Sequence, residues 1–371
     1  MIRKLFVVLA ALIPASLQAQ TAQPAQPLWT VTDARHALIP AGVSLPRTAA
    51  SLTVAQTRDL RPDGGDSNLL YRSSDGQVIA TAYLYYPGLA HSGLSAYATD
   101  SGIRENSRSP IEALGTRVVD AGGVTGAAIR IDYRNYMGAN ASTAAFVKAG
   151  RWIIKFRVTG PEARRGEVMA AMDALLANVR FNPASPARPA APLAVSDCPA
   201  GAAQRDAALI ENEEFAQLTA HGILALVDGA GEEARNENGT AAALPSRIPS
   251  TMCVSSRIGQ ARVPILRPLS ATGESPSGRT RAIVILSDSG TMLEIVQALT
   301  TPTHVLLYHQ IGSTSVLGSF DAMPSDRQIT AFFTERNNPA TQVRVPIRLH
   351  PNGDTDMTLP SPEAERPAPG T

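Results

Sequence analysis

Gly150-Arg151-Trp152-Ile153-Ile154-Lys155-Phe156-Arg157-Val158 is the stretch on which the reading of the fold turns. Side chains on an extended chain point alternately to opposite faces, so Trp152, Ile154, Phe156 and Val158 share one face and Arg151, Ile153, Lys155 and Arg157 the other. That is the pattern of a strand with one face on a core. The run Ser142–Lys148 precedes it, with Ala149-Gly150 between, a spacing that predicts a hairpin. A helix is predicted next. Pro161 suits its first turn, where a missing N–H costs nothing, and Glu162 suits the positive end of its dipole. Val168, Met172, Leu175, Leu176 and Val179 then recur at helical spacing and should lie on the buried face of the sheet.

Elsewhere in the first half, Val78–Tyr86 is rich in β-branched and aromatic residues, as strands are. Ile129, Ile131 and Tyr133 alternate with Arg130, Asp132 and Arg134, a second strand signal. Weaker periodicity predicts a helix over Leu94–Asn106. Together these define an α+β domain over 28–181, an antiparallel sheet with helices packed on it.

Pro183, Pro186, Pro189 and Pro192 follow at a three-residue period, that of polyproline II, so residues 182–197 read as a semi-rigid linker. Beyond it, 198–349 reads as a β-rich α+β domain. A helix is expected over Ala203–Ala220, ended by His221-Gly222. Strands are expected at Met252–Arg257, Arg281–Ser287, Thr291–Ala298, His304–Ile311 and Gln342–Leu349. Asp288-Ser289-Gly290 marks a turn, and Pro346 would confine the last strand to an edge. Residues 350–371 read as a disordered tail.

The start of the chain has a different character. Arg3-Lys4, the apolar run Leu5–Ile13 and the small residues up to Ala19 have the order of a secretory signal peptide, 1–19. The run is shorter than the roughly 20 residues that cross a bilayer. The expectation is a periplasmic or secreted protein with no transmembrane segment once the signal is cleaved near Ala19. The whole chain carries 33 Lys and Arg against 32 Asp and Glu; without Arg3 and Lys4 the basic count falls to 31, a net of −1. This near-neutrality gives no electrostatic case for nucleic acid. In an oxidising compartment the two cysteines, Cys198 and Cys253, are expected to form a disulfide, with two free thiols as the alternative.

Residues able to carry chemistry are sparse. Gly229-Ala230-Gly231-Glu232-Glu233-Ala234 matches a dinucleotide fingerprint, but Arg235–Thr240 is loop-like where a helix is required, and two carboxylates would face a pyrophosphate. His304 and His309 are five residues apart, so on one strand they face opposite sides and share no metal. Ser289 with either histidine lacks the nucleophile-elbow context of a hydrolase. No catalytic, cofactor or metal residue is assigned. Lys148, Arg151, Lys155 and Arg157 cluster on the hairpin as a possible patch for an anionic ligand; the other reading is a solvated strand face whose long stems cover apolar atoms.

Three stretches carry a resemblance: Leu45-Pro46-Arg47, Thr81-Ala82-Tyr83-Leu84-Tyr85, and Gly150–Arg157 leading into a closing amphipathic helix. Their order is similar to that of exported bacterial proteins with a PsbP-type α/β sandwich. The resemblance implies that fold for the first half and carries no chemistry. The second half resembles nothing recognised. The reading is an exported, non-enzymatic binding or envelope-accessory protein, partner unknown; the alternative is a periplasmic hydrolase with its site between the two domains.

Overall fold

The computed structural model describes residues 27–358 except 106, 108, 184, 200–203, 211–247, 261, 270–279, 299–300 and 336–344. The signal expected at 1–19 and the fingerprint at 229–234 therefore lie outside the described residues. Among those described, the chain is predominantly β, and this corrects the α+β expectation. No helix among them is long and apolar enough to cross a membrane.

The first half forms two sheets. Strands β1 (Trp29–Val31), β2 (Arg35–Leu38), β3 (Val43–Pro46) and β12 (Arg180–Phe181) make a small one in the order 1-2-3-12. The larger contains β4 (Thr48–Ala49), β5 (Leu52–Asp59), β6 (Asp66–Arg72), β7 (Ile79–Tyr85), β8 (Glu112–Ala121), β9 (Val124–Tyr136), β10 (Asn140–Ala149) and β11 (Trp152–Pro161). Its order is 4-5-6-7-11-10-9-8. Helix α1 (Ser92–Glu105) links β7 to β8, and α2 (Arg165–Asn178) follows β11 through one 3-10 turn.

The decisive stretch is β11, paired along its length with β10. The turn falls one residue later than the sequence suggests: Ala149 pairs with Trp152, and Gly150-Arg151 make the loop. Gly150 takes φ +53°, a left-handed conformation open to glycine at no cost in Cβ contact, while Ala149 keeps a fully buried strand position. Pro161 ends β11, and the 3-10 turn Glu162–Arg164 leads into α2.

Both faces of β10 and β11 are covered. On one side Val168, Ala171, Met172 and Leu175 of α2 meet Ala145, Val147, Ile154, Phe156 and Val158. Each large apolar side chain buried there contributes roughly 1.5–3 kcal/mol. On the other side Ala96 and Ile103 of α1 pack on Ile129, Ile131, Ala144 and Phe146. Leu94 and Ala98 of α1 also pack against Met252, Leu266, Ile283 and Ile285 of the second half. Helix α1 is therefore a wedge shared by both halves.

The second half forms a third sheet, a nine-stranded meander in sequence order. It runs β13 (Ala194–Asp197), β14 (Thr251–Ile258), β15 (Val263–Pro268), β16 (Arg281–Ile285), β17 (Met292–Gln297), β18 (His304–Gln310), β19 (Ser313–Phe320), β20 (Val345–Leu349) and β21 (Thr355–Met357). Only β13 pairs parallel to its neighbour. Helix α3 (Asp326–Glu335) follows β19. Two expectations fail here. Residues 204–210 are not helical: Leu209 bridges to Phe320, and Ile210 N–H donates to Ser319 O. The remainder of that expected helix lies outside the described residues. Pro346 is not on the edge, because β20 lies between β19 and β21; the β21 register covers only Ile347–Leu349, so Pro346 N faces no ladder acceptor there.

The proline-spaced segment lies against the first half before entering this sheet. Ala187 bridges Ala149, and Ala190 N–H donates to Gly126 O. The two halves also meet directly. Gly88 N–H donates to Gln310 O, Gly312 N–H donates to Tyr86 O, and Pro87 bridges Ile311. One apolar cluster runs through the joint, from Leu84, Tyr86 and Trp152 to Leu307, Val316 and Ile347.

Candidate functional site

Beside this joint the halves separate around a cleft of about 1060 Å³. One wall is the outer part of α1, with Tyr97, Thr99, Gly102 and Glu105, continued by Tyr136 and Met137 at the β9–β10 turn and by Arg157 of β11. The other wall is Arg262, Val263 and Pro264 where β15 begins, and Ile285–Asp288 at the end of β16. Helix α1 is held at its start by His91, whose Nδ1 accepts the Leu94 N–H at 3.2 Å. Burial, with the positive charges of Lys148 and Arg281, pushes the His91 imidazole down to about 3, so it stays neutral and able to accept that bond.

Two ion pairs cross between the walls. Lys155 Nζ lies 2.6 Å from Asp288 Oδ2, and Arg257 Nη1 lies 2.9 Å from Glu105 Oε1. Burial holds the Lys155 ammonium below the ordinary lysine range, and the Asp288 carboxylate works against that shift. Each carboxylate lining the cleft is thus engaged by a cation from the opposite half. Arg157 is not so engaged: its guanidinium stacks 4.7 Å from the Tyr136 ring centre, and it has no hydrogen-bond acceptor or carboxylate among the described residues. Its Nη2 is buried without an acceptor, as is Thr99 Oγ1. Arg262 is exposed and likewise has no described carboxylate partner. The cleft combines two uncompensated guanidiniums, several hydroxyls and an apolar surface that includes Met137, 73% exposed.

Of the four cations the sequence singles out, only Arg157 lines the cleft. Lys155 is 6% exposed and lies over the rings of Tyr83 and Phe146, so the strand face carrying it is covered, not solvated. Arg151 stacks over Tyr86 at the turn, and Lys148 is half-buried opposite Ile153. Cys198 and Cys253 form a disulfide. Ser289 Oγ bonds to Ser287 Oγ. His304 Nε2 meets the Thr280 hydroxyl, whereas His309 belongs to a separate network.

That network went unread in the sequence. His309 Nε2 lies 3.0 Å from Glu294 Oε2, His309 Nδ1 lies 3.0 Å from Thr314 Oγ1, and Arg281 Nε lies 2.9 Å from Glu294 Oε1. With the proton on Nε2, the ring donates to Glu294 and accepts from the threonine hydroxyl, the order of an acid–histidine–hydroxyl relay. All four residues are 4% exposed or less. Gly88 covers the hydroxyl so closely that a Cβ there would sit 2.5 Å from Thr314 Oγ1 and 3.0 Å from His309 Nδ1. A reacting atom needs a free position about 3 Å from the nucleophile, and Gly88 occupies it. The signal available in the sequence was Glu294 alone inside the apolar run Met292–Val296.

No family model and no curated protein matches the chain. Solved structures give weak likenesses. The cyanobacterial PsbP protein of Synechocystis sp. PCC 6803 is 13% identical over 40% of this chain and 91% of its own, with a TM-score of 0.31. LpqN of Mycobacterium tuberculosis, described as involved in cell envelope biogenesis, is 13% identical over 44% of this chain and 88% of its own, at 0.22. A protein of Bacteroides thetaiotaomicron VPI-5482 is 11% identical over 49% of this chain and 55% of its own, at 0.25.

Proposed function

We propose that this chain is an exported, non-enzymatic binding protein of the bacterial envelope whose ligand site is the cleft between its halves, 28–181 and 198–349. The observation that carries the reading is the cleft itself: it is large enough for a drug-sized ligand, which clefts of roughly 300–1,000 Å³ accept, and its polar groups are incompletely satisfied from within the protein. The basic start, the apolar run and the small residues before Ala19 support export, and the Cys198–Cys253 disulfide accords with an oxidising compartment. The relay of Glu294, His309 and Thr314 favours the hydrolase alternative in its order of groups, but its burial under Gly88 supports a structural role. Mass spectrometry and assay of the protein recovered from the periplasm test the proposal. The expected product lacks residues 1–19, has no free thiol and turns over no ester, phosphoester or glycoside probe. A cytoplasmic chain that keeps residues 1–19, or hydrolysis that disappears in Thr314→Val, overturns it.

A further inference from the structure

Resting on the cleft as ligand site, we infer that its ligand is an amphiphilic organic anion, with the charged head on Arg157 and the apolar body along Tyr136, Met137, Val263 and Pro264. Glu105 and Asp288 are neutralised by Arg257 and Lys155, so the lining is left positive by Arg157 and Arg262. An incoming carboxylate or phosphate meets no unpaired negative charge among the described lining residues.

The guanidinium is also prepared for an anion. The cation–π contact with Tyr136, with Cζ 4.7 Å from the ring centre, restrains the side chain, and no described residue supplies the buried Nη2 with an acceptor. A planar fork fixed in this way gives up little rotational freedom when it binds a carboxylate or phosphate. Around it the cleft is much larger than a free inorganic ion, and apolar side chains share its lining with polar ones. Met137 is mostly exposed at a residue with φ +50°, and it presents a flexible, polarizable thioether of the kind that adapts to irregular apolar ligands. Tyr97, Val263 and Leu286 are partly exposed on the facing walls.

The test uses the mature protein and four probes that share a dodecyl chain, each kept below its micelle concentration in titration calorimetry. Dodecyl phosphate and dodecanoate carry the two anionic heads; dodecyl maltoside is neutral and dodecyltrimethylammonium is cationic. Two variants accompany the wild type. Arg157→Met keeps the stem and removes the charge. Gly102→Trp fills the cleft from α1, at a position where an added Cβ meets nothing within 4 Å. Circular dichroism confirms that each variant folds, and Arg157→Lys restores the charge if the methionine variant does not. The expected result is binding of at least one anionic probe, weakened about tenfold or more by loss of the charge-assisted hydrogen bonds in Arg157→Met and abolished by Gly102→Trp. The preferred anion separates a phosphate source from a carboxylate one. Equal binding of the maltoside or ammonium probe, or no change in Arg157→Met while Gly102→Trp still blocks, overturns the anion and leaves the cleft standing. Anion binding that survives Gly102→Trp overturns both. No binding by any probe overturns the amphiphile.

Discussion

Gly88 shows how much one missing side chain can decide. Its amide joins the halves through Gln310 O, and its bare Cα closes over the His309–Thr314 hydrogen bond. Gly88→Ala puts a Cβ 2.5 Å from the Ser313 carbonyl oxygen, which is backbone and cannot swing away. The expected cost is roughly 1–3 kcal/mol, the range for overpacking, measured by urea unfolding; an unchanged midpoint would refute the contact. Buried histidines give a second expectation at this scale. His91 is pushed down to about 3 and His304 to about 4, each chiefly by burial. In the unfolded chain both take a proton near the ordinary histidine value of about 6.5. A depressed folded pKa therefore contributes stability that is present above about 6.5 and lost as pH falls toward 4 and then 3. Denaturant titrations from pH 7 to pH 4 should show declining stability, and NMR should show neither ring titrating above pH 5.5. A ring titrating near 6.5 contradicts the burial.

At the scale of elements, what the sequence made legible follows from which faces are buried. Strand β11, strand β7 and helix α2 were readable because apolar residues repeat at the period of the structure. Strands β5 and β8 were not, since β8 is exposed along most of Glu112–Asp120 and β5 along Gln56–Asp59, and neither carries an apolar face to betray it. Strand β19, Ser313–Phe320, was missed for the opposite reason: nearly all of it is buried, so polar and apolar residues show no alternation. Residues 204–210 read as helix because Leu209, Ile210, Phe215 and Leu218 give 203–220 an imperfect apolar face; the bonds of Ala208 and Ile210 to Asp321 and β19 override it. The cleft was legible only in Arg157. Its other residues come from turns and from one helix, brought together by pairing between halves that no local pattern encodes. At this scale the disulfide is the testable feature. It joins Cys198, just after β13, to Cys253 in β14, 55 residues apart. Replacing both cysteines by serine should cost about 4 kcal/mol in the chain-entropy model, read as a lower denaturation midpoint. A loss under 1 kcal/mol would mean that the strand pairing alone holds this edge.

For the whole molecule, the question is what fixes the two halves beside the cleft. The joint at Tyr86–Gly88 and Gln310–Gly312, the shared apolar cluster and the α1 wedge join the halves, and Lys155–Asp288 and Arg257–Glu105 add charge pairs. The Lys155–Asp288 pair is asymmetric: the lysine side chain is 8% exposed and the aspartate 48%. Asp288→Ala strands a buried ammonium, whereas Lys155→Met removes the buried charge and keeps the packing. Removing one partner of a buried pair is the costly change, so Asp288→Ala should destabilise more than Lys155→Met, by about 1 kcal/mol or more. Thermal unfolding of both variants decides it, and the reverse order would indicate that Lys155 is solvated.

The placement of the cystine has a consequence for the chain as a covalent object. Cys198 and Cys253 bracket residues 199–252, and the strands on either side, β13 and β14, are already paired to each other. A protease that cuts once inside this interval would leave two polypeptides joined by the cystine as one molecule. Such a cut would be invisible on a non-reducing gel and would appear as two bands once the cystine is opened. A protein built in this way can be cut within that interval without coming apart.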